Sequence, residues 1–310
     1  MPENKLFLPE GLRPAPFFSL TSLKSAQETH HVLESPVIRC DAQQNLHFSL
    51  NGIHGIIPRA EAVAPWISGA KRDIAVLSRV GRPTCFTVEE LTADAKGAPL
   101  LRLSRRAAQE QAMEFFLSHL TPGMVLTCVV THLESFGAFL DIGCGIVALL
   151  PIERISVSRI PHPRERFRVG QKILAAVWRI DPRQRRITMT HRELLGTWLE
   201  NASHFQAGET VRGIVRSVKD YGTFVELAPN LSGLTECQNL SEGDQISVFI
   251  KSIRPEGMKI KLQMIEKLSA PSSLEPIHYQ ITDGCLKEWV YSPPGYEKPP
   301  LTTDFTAAVP

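Results

Sequence analysis

Residues 123–141 read GMVLTCVVTHLESFGAFLD, and residues 208–226 repeat the pattern as GETVRGIVRSVKDYGTFVE. The two stretches align without a gap, so that Phe136 matches Tyr221 at an offset of 85. In both, apolar and β-branched residues alternate with polar ones on either side of a short turn. The alignment therefore predicts an internal repeat whose unit is built from β-strands.

The repeat continues downstream at a different offset. Residues 169–181 match residues 242–254 at an offset of 73, so the first copy has a connection that is 12 residues longer. The extra length lies in residues 156–168, which read SVSRIPHPRERFR. Its prolines and arginines predict an exposed loop.

Alternation predicts five strands in the first copy, over residues 125–132, 138–142, 146–150, 172–180 and 186–190. Five short strands in a segment of this size cannot form an open, two-faced sheet with much core, whereas a small closed barrel solves the problem. The predicted fold class is therefore mainly β, with tandem five-stranded barrels, two clear and one degenerate, joined by short α-helices.

The rest of the chain is assigned around these barrels. Helical periodicity predicts a linker helix before each clear barrel, packed on that barrel by its apolar face, with partner binding as the less favoured alternative. In the degenerate copy, Gln43 and Leu46 stand near the two aromatic positions. The C-terminal tail is expected to be partly ordered, with residues 279–281 pairing with 288–291 as a hairpin. The predicted segments are an N-terminal tail (1–31), a degenerate barrel (32–106), a linker helix (107–120), a barrel (121–192), a linker helix (193–204), a barrel (205–268) and a C-terminal tail (269–310).

Composition excludes several classes of protein. The chain has 310 residues, of which 43% are hydrophobic and 21% charged, with a formal net charge of +2, so fibrous and wholly disordered classes are excluded. No apolar run is long enough to span a bilayer, and residues 1–10 lack the features of a secretory signal. We therefore expect a cytoplasmic protein. Six cysteines are spread singly and predict small buried residues with free thiols.

Sequence motifs give no indication of catalysis. Residues 143–148 (GCGIVA) fit a dinucleotide-binding pattern, but the repeat has APNLSG at the matching place and Pro151 interrupts the helix that would have to follow. The segment is interpreted as a turn between strands. No nucleophile motif, P-loop or metal-ligand spacing occurs, so no enzyme activity, cofactor, metal or small-molecule substrate is predicted.

Each copy places two aromatic residues three positions apart across a glycine, as Phe136 and Phe139 and as Tyr221 and Phe224. A loop or bulge before the strand would let both rings reach the outer face, where they could stack on unpaired bases, with the glycine leaving space for a base. The alternative is that both rings fill the barrel interior. Repetition at one offset, beside strands that already supply a core, favours the outer face.

Charge differs between the two copies. Residues 121–192 carry eleven Lys and Arg against five Asp and Glu, whereas residues 208–268 carry eight of each. The middle barrel is therefore expected to dominate phosphate binding, with mere solubilisation by its arginines as the alternative. His132 and His191 are expected to lie beside the face that carries the aromatic residues, where they could contact phosphate, with ordinary exposed surface histidines as the alternative.

These motifs resemble the S1 RNA-binding domain, the OB-fold repeat of bacterial ribosomal protein S1. The resemblance implies an RNA face with two aromatics on the second strand, a histidine after the third strand, and an aspartate and an arginine near the fifth. The histidine position holds Pro151 in one copy and Glu236 in the other, and the aspartate position of the last copy holds Arg254. The candidate RNA-binding residues are Phe136, Phe139, Asp181, Arg185, Arg186 and His132 in the middle copy, and Tyr221, Phe224, Lys219, Lys259 and Lys261 in the last.

Two functions follow as hypotheses. The first is non-enzymatic binding of single-stranded RNA by base stacking and phosphate contacts, with mRNA engagement beside the small ribosomal subunit as what the resemblance implies. The second is a protein-interaction scaffold that docks on the ribosome or an RNA-processing complex and has little affinity for RNA. No membrane partner is expected for either.

Overall fold

The computed structural model describes residues 7–14, 17–67, 72–93, 97–237, 239–269 and 276–306. They form three β units, named here the first unit, the middle barrel and the last barrel. None of the described helices is long and apolar enough to cross a membrane. The strands are β1 (Leu33–Pro36), β2 (Arg39–Cys40), β3 (Leu46–Leu50), β4 (Ile53–Ile57), β5 (Pro83–Ala93) and β6 (Pro99–Ser104) in the first unit, β7 (Val125–Glu134), β8 (Gly137–Gly143), β9 (Ile146–Pro151), β10 (Lys172–Asp181) and β11 (Arg186–Thr190) in the middle barrel, β12 (Thr210–Lys219), β13 (Gly222–Ala228), β14 (Leu231–Thr235), β15 (Gln245–Arg254) and β16 (Lys259–Lys267) in the last, and β17 (Glu288–Val290) and β18 (Thr302–Asp304) beyond it.

The middle barrel closes in the order β10-β11-β9-β8-β7, with β7 hydrogen-bonded back to β10. Its neighbours are antiparallel except for β9 and β11, which pair in parallel through Leu149 and Thr188. Along β7 the alternate residues Leu126, Cys128 and Val130 are buried, because one face of the strand covers the core. The predicted mainly β fold with small closed barrels is confirmed.

The last barrel has the same construction. It closes in the order β12-β13-β14-β16-β15, again with one parallel pairing, between β14 and β16. A bulge interrupts β12 between Val215 and Ser217, and an equivalent bulge interrupts β7 between Val130 and His132. The repeat seen in the sequence therefore extends to the irregularities of the strands.

The first unit is a six-stranded sheet in the order β1-β5-β6-β4-β3-β2. The strands at its two ends are consecutive in the chain. Between them, the Val37 amide donates to the Arg82 carbonyl on one side, and the Ile38 amide donates to the His47 carbonyl on the other. Strands β1 and β2 therefore correspond together to the first strand of a closed barrel, divided into two pieces. With that equivalence, the strands follow the same cyclic order as in the two closed barrels.

The described residues form four α-helices. Helix α1 (Leu20–Glu28) precedes the first unit, and α2 (Ile74–Leu77) lies within it between β4 and β5. Helices α3 (Arg105–His119) and α4 (Trp198–Ala202) precede the middle and last barrels. Ser104 caps α3, because its hydroxyl accepts a hydrogen bond from the Ala107 amide at 2.9 Å. Ala112, Met113 and Phe116 then extend the apolar core of the middle barrel.

The prediction of one continuous helix over residues 193–204 was wrong. The segment forms a 3-10 turn over Arg192–Leu195 and then the separate helix α4. Gly196 breaks the helix with a φ of +84°. Thr197 then starts α4 with a capping box, which requires an extended residue at the place where a continuous helix would pass.

Residues 276–306, named here the C-terminal strap, run across both closed barrels. On the middle barrel, Leu286 donates to the Gly123 carbonyl at 2.9 Å, and Cys285 bridges to Met124. On the last barrel, Trp289 and Tyr291 enter the apolar core. These residues of the tail, which was expected to be partly ordered, have their own packing partners on both closed barrels.

The predicted hairpin within this segment was also wrong. Strand β17 pairs with β18, and residues 279–281 pair with neither. Tyr279 is held instead by the middle barrel, where its hydroxyl accepts from the Leu174 amide at 3.1 Å and lies 3.2 Å from Nε2 of His191. His191 is buried in this junction, so the expectation that it lies beside the RNA face was wrong.

Two equivalent glycines differ in how closely the strap approaches them. Gly123 and its repeat equivalent Gly208 both have left-handed φ angles, +89° and +96°. A Cβ on Gly123 would lie 1.9 Å from the Leu286 carbonyl oxygen, whereas Gly208 has no atom within 4 Å. We expect Gly208→Ala to cost about 1 kcal/mol of unfolding free energy and Gly123→Ala about 2 kcal/mol more, measured by urea unfolding. An equal cost at the two positions would show that the strap does not constrain Gly123.

The junction of His191 with the strap predicts a pH effect. Burial lowers the pKa of His191 to about 4, although the bond from Nδ1 to the Ile155 carbonyl opposes the shift. The unfolded chain takes up a proton near the ordinary value of 6.5 and the folded chain does not, so this contribution to stability is lost as the pH falls from about 6.5 to about 4.

The matched variant is His191→Asn, which keeps an amide donor for Ile155 and cannot titrate. We expect the advantage of the wild type over this variant in unfolding free energy to shrink by about 3 kcal/mol between pH 7 and pH 4. Urea unfolding at several pH values measures the difference, and other titrating groups cancel in it. If the difference in unfolding free energy between the wild type and the variant stayed constant with pH, the lowered pKa of His191 would be contradicted.

Candidate nucleic-acid interface

Both aromatic pairs lie on the outside of their barrels. Phe136 is 55% exposed and Tyr221 is 67% exposed, while Phe139 and Phe224 are half-buried beside them. Within each pair the rings are perpendicular, with centroids 5.9 Å apart in the middle barrel and 6.1 Å apart in the last. Each pair therefore offers one exposed ring that is braced by the edge-to-face contact of the other.

The first ring of each pair precedes its strand, which explains how rings three residues apart reach the same side. Strand β8 begins at Gly137, so Phe136 lies in the turn and is free of the alternation along the strand. A Cβ on Gly137 would lie 2.5 Å from the Leu150 carbonyl oxygen, and one on Gly222 would lie 2.7 Å from the Thr235 carbonyl oxygen. The glycines are needed for the close approach of the next strand, and the expectation that they leave space for a base was wrong.

The second ring of each pair belongs to a row of outward-facing residues that crosses all five strands, named here the ring row. Strand pairing defines its members and reproduces both sequence offsets, 85 on the first three strands and 73 on the last two. The ring row is His132, Phe139, Leu149, Thr188 and Arg179 in the middle barrel, and Ser217, Phe224, Leu234, Lys261 and Ser252 in the last.

The charged candidates of the middle barrel are partly engaged with other groups. His132 lies 2.7 Å from Glu134. Asp181 faces Arg186 across the β10–β11 hairpin, and its carboxylate accepts from the Gln184 amide at 2.9 Å, which stabilises the turn. His132 therefore lies in the ring row, while Asp181 and Arg186 lie at one end of the barrel.

Arg185 is directed towards the first unit. Its guanidinium lies over the ring of Trp66, 5.6 Å from the ring centroid. Trp66 in turn packs against the core of the middle barrel. The structure thus places Arg185 at the junction of two β units rather than beside the aromatic pair.

The candidates of the last barrel are exposed cations. Lys219 ends β12 beside the aromatic turn, Lys261 lies in the ring row, and Lys259 faces Arg254 across the β15–β16 hairpin. Among the described residues, none of these four has an ion-pair partner. Arg254 was not among the predicted site residues, because the family alignment expects an aspartate there. The matching positions of the middle barrel hold Glu134, Thr188, Arg186 and Asp181.

Domain charge is therefore a poor guide to charge at the rings. Arg154 and Arg192 of the middle barrel pair with the buried Glu193, and Arg166 pairs with Glu226 of the last barrel. These arginines contribute to the count for residues 121–192, but carboxylates neutralise part of that charge. The last barrel, neutral in total, has more unpaired positive charge around its rings.

Sequence reasoning also missed an aromatic residue beside the middle ring row. Trp178 occupies the bulge of β10 next to Arg179. The guanidiniums of Arg154 and Arg179 lie over its ring, 3.7 and 4.3 Å from the centroid. The repeat could not indicate it, because the matching residue of the last barrel is Lys251.

The first unit has no aromatic pair at the equivalent place. Strand pairing aligns His47 with the position of Phe139, and Gln44 with that of Phe136, so the expected positions Gln43 and Leu46 were each one residue off. Leu46 lies in the core. His47 lies 2.9 Å from Asp41, a hydrogen bond that, together with turn amides, lowers the pKa of Asp41 to about 2.

Comparison with known proteins assigns the middle barrel. Residues 119–192 match the family described as S1 RNA binding domain. The matched residues include all five strands of the middle barrel. Small ribosomal subunit protein bS1 of Leuconostoc lactis is 29% identical over 232 residues, covering 69% of this chain and 52% of that protein. The bS1 homolog of Bacillus subtilis (strain 168) is 27% identical over 237 residues, covering 72% of this chain and 60% of that protein. The predicted resemblance is thus confirmed.

Two limits of these matches bear on function. The chain spans about half the length of the bS1 relatives that it matches. A 4-hydroxy-3-methylbut-2-enyl diphosphate reductase of Fusobacterium nucleatum is 30% identical over 176 residues, but the match covers 52% of this chain and only 21% of that protein. Sequence similar to part of this chain therefore occurs within a protein named as an enzyme.

Proposed function

We propose that this chain binds single-stranded RNA along the ring rows of its two closed barrels and catalyses no reaction on it. The observation that carries the proposal is the pair of exposed rings, Phe136 and Tyr221, at equivalent places outside two barrels of an S1-type fold. Base stacking needs an accessible aromatic face, and only unpaired bases can supply the other face. Duplexes are therefore poor ligands for this surface.

The two barrels contribute differently to the proposed binding. The last barrel carries two exposed cations beside its rings, Lys219 at the end of β12 and Lys261 in the ring row, and two more, Arg254 and Lys259, at its β15–β16 hairpin. It therefore supplies most of the phosphate contacts made by the ring rows. The middle barrel, whose ring-row residue His132 lies 2.7 Å from Glu134, relies more on stacking. This assignment replaces the expectation from domain charge that the middle barrel dominates phosphate binding.

The proposed binding is tolerant of RNA sequence. Reading a base requires hydrogen bonds to its edge, whereas stacking and phosphate contacts are available to every nucleotide. The family's histidine position holds Pro151 and Glu236 in the two barrels, and Asp181 is engaged in its own turn. Few groups remain near the rings to discriminate between bases.

The similarity to bS1 supports a cellular setting. We infer that the RNA is mRNA, that binding takes place beside the small ribosomal subunit in the cytoplasm, and that the chain needs no metal or cofactor for it.

Docking on a protein is the second candidate function, favoured by an apolar surface on the first unit. Ile38, Ile74, Leu77 and Val80 are all exposed there. The Val80 amide donates to the Leu77 carbonyl, and Val80 bridges to Val37 beside Ile38, so these residues lie close together. Exposed apolar clusters on single chains commonly mark interaction surfaces.

Ring truncation tests the proposed function directly. We expect Phe136→Ala and Tyr221→Ala each to weaken binding of single-stranded RNA by roughly 1–3 kcal/mol, because each removes one stacking surface. Fluorescence anisotropy measures the affinity, with duplex DNA as the competing ligand class. Phe17→Ala is the matched control, since Phe17 is an exposed aromatic residue outside both ring rows. If the ring variants bind as the wild type does, the chain is a scaffold and the proposal is wrong.

The salt dependence of RNA binding tests whether the cations of the last barrel contact phosphate groups. We expect Lys219→Gln with Lys261→Gln to flatten the plot of log affinity against log salt by about 0.7 for each phosphate that is no longer neutralised. The control pair Lys24→Gln with Lys298→Gln makes the same change in net charge at exposed sites outside the ring rows. Equal slopes for the two pairs would contradict a specific role for the last barrel.

A further inference from the structure

The 12-residue extra length of the middle barrel, in residues 156–168, is docked on the last barrel. This segment is named here the arginine arm. Nη2 of Arg166 lies 2.6 Å from a carboxylate oxygen of Glu226, and Nη1 of Arg216 lies 3.1 Å from Glu165. Near the start of the arm, the Ser158 amide donates to the Pro229 carbonyl at 3.0 Å. The expectation of an exposed loop was correct for only part of it.

The arm docks next to the ring row of the last barrel. Glu226, which holds Arg166, is two residues beyond Phe224 on β13, and residues two apart on a strand face the same side. Arg216, which holds Glu165, directly precedes Ser217, the ring-row residue of β12. Residues 164–166 therefore lie beside the surface that carries the rings.

The other end of the arm returns to the ring row of the middle barrel. The amide of Gly170 donates to the Val130 carbonyl at 2.7 Å, and the amide of Val130 donates to the Gln171 carbonyl at 2.9 Å. Val130 immediately precedes the bulge of β7, and His132, on the other side of the bulge, is the ring-row residue of this strand. The 3-10 turn Pro163–Glu165 packs against β7 as well. The arm thus connects the neighbourhoods of the two ring rows.

The docking contacts leave part of the arm's charge unused. Arg166 is buried and neutralised by Glu226, and Phe167 and Ile160 anchor the arm in the core of the middle barrel. By contrast, Arg159, Arg164 and Arg168 are exposed, and none has an ion-pair partner among the described residues. Nε of Arg164 donates to Nδ1 of the neighbouring His162 at 3.2 Å, which leaves its positive charge without a carboxylate partner. A fixed segment that presents three guanidiniums without carboxylate partners is suited to binding phosphate groups.

We propose that Arg159, Arg164 and Arg168 form a phosphate bridge between the two ring rows, so that one RNA strand occupies both barrels. The inference rests on the proposed function and extends it by a site outside the ring rows. The last copy lacks the extra length, and no β barrel follows it in the described chain. An arm that only improved solubility would need neither the buried ion pairs nor the bonds that hold it against both barrels.

The bridge predicts that affinity depends on RNA length. A single OB fold covers about 4–16 nucleotides, so an RNA of about 8 nucleotides fits one barrel and one of about 30 can cross the arm. We expect the wild type to bind the longer RNA at least about tenfold more tightly. The bridge variant carries Arg159→Glu, Arg164→Glu and Arg168→Glu, and we expect it to lose most of this advantage while binding the short RNA nearly normally.

The control variant carries Lys24→Glu, Arg72→Glu and Arg82→Glu, which impose the same change of charge on exposed residues of the first unit. We expect it to keep the length advantage. Because all six substituted side chains are exposed, we expect both variants to fold. Circular dichroism and thermal unfolding verify this. If the bridge variant keeps the length advantage while Phe136→Ala and Tyr221→Ala lower the affinity, the bridge is wrong and the proposed function stands. If the ring variants also bind normally, the proposed function itself fails.

Discussion

Closure of each barrel depends on a short parallel pairing between its third and fifth strands, β9 with β11 and β14 with β16. Without it, each sheet would have two open edges and too little buried area for so small a domain. Closure also makes the outer surface continuous, so that side chains from five strands form one row. The aromatic rings are not needed in the core and can lie on the outer surface, because the inward-facing residues of these strands already fill the core.

Duplication has preserved a docking position as well as the rings. Asp141 and Glu226 are repeat equivalents, each two residues beyond the second ring on the same strand. Asp141 accepts the amide of Glu10 at 2.9 Å, from the segment that precedes the first unit, and Glu226 holds Arg166 of the middle barrel. Each closed barrel therefore receives an earlier part of the chain next to its ring row.

The junction around Asp141 is stabilised by charge in a buried setting. Burial raises the pKa of Glu10, but Arg105 and Arg79 outweigh this effect and lower it to about 2. Glu10 therefore stays ionised between two guanidiniums, and its loss would leave buried positive charge unpaired. Such contacts explain the limits of sequence reasoning. Alternation along a strand is local and predicted β7 to β11 well, whereas the partner of Arg166 lies 60 residues away and only the folded chain identifies it.

The same limit explains which parts of the interface were predictable. The exposed positions of Phe136 and Tyr221 could be predicted because aromatic residues occur at the same place in both copies of the repeat. Charge counted over a domain cannot distinguish an arginine in a buried ion pair from one beside an aromatic ring. In the proposed binding mode, the docking of the arm also affects affinity. A single stacking site binds weakly, and two sites held at a fixed spacing convert the second contact into an intramolecular step without the entropy cost of ordering a flexible linker. In the proposed binding mode, buried ion pairs such as Arg166 with Glu226 contribute to affinity by fixing the arm rather than by contacting RNA.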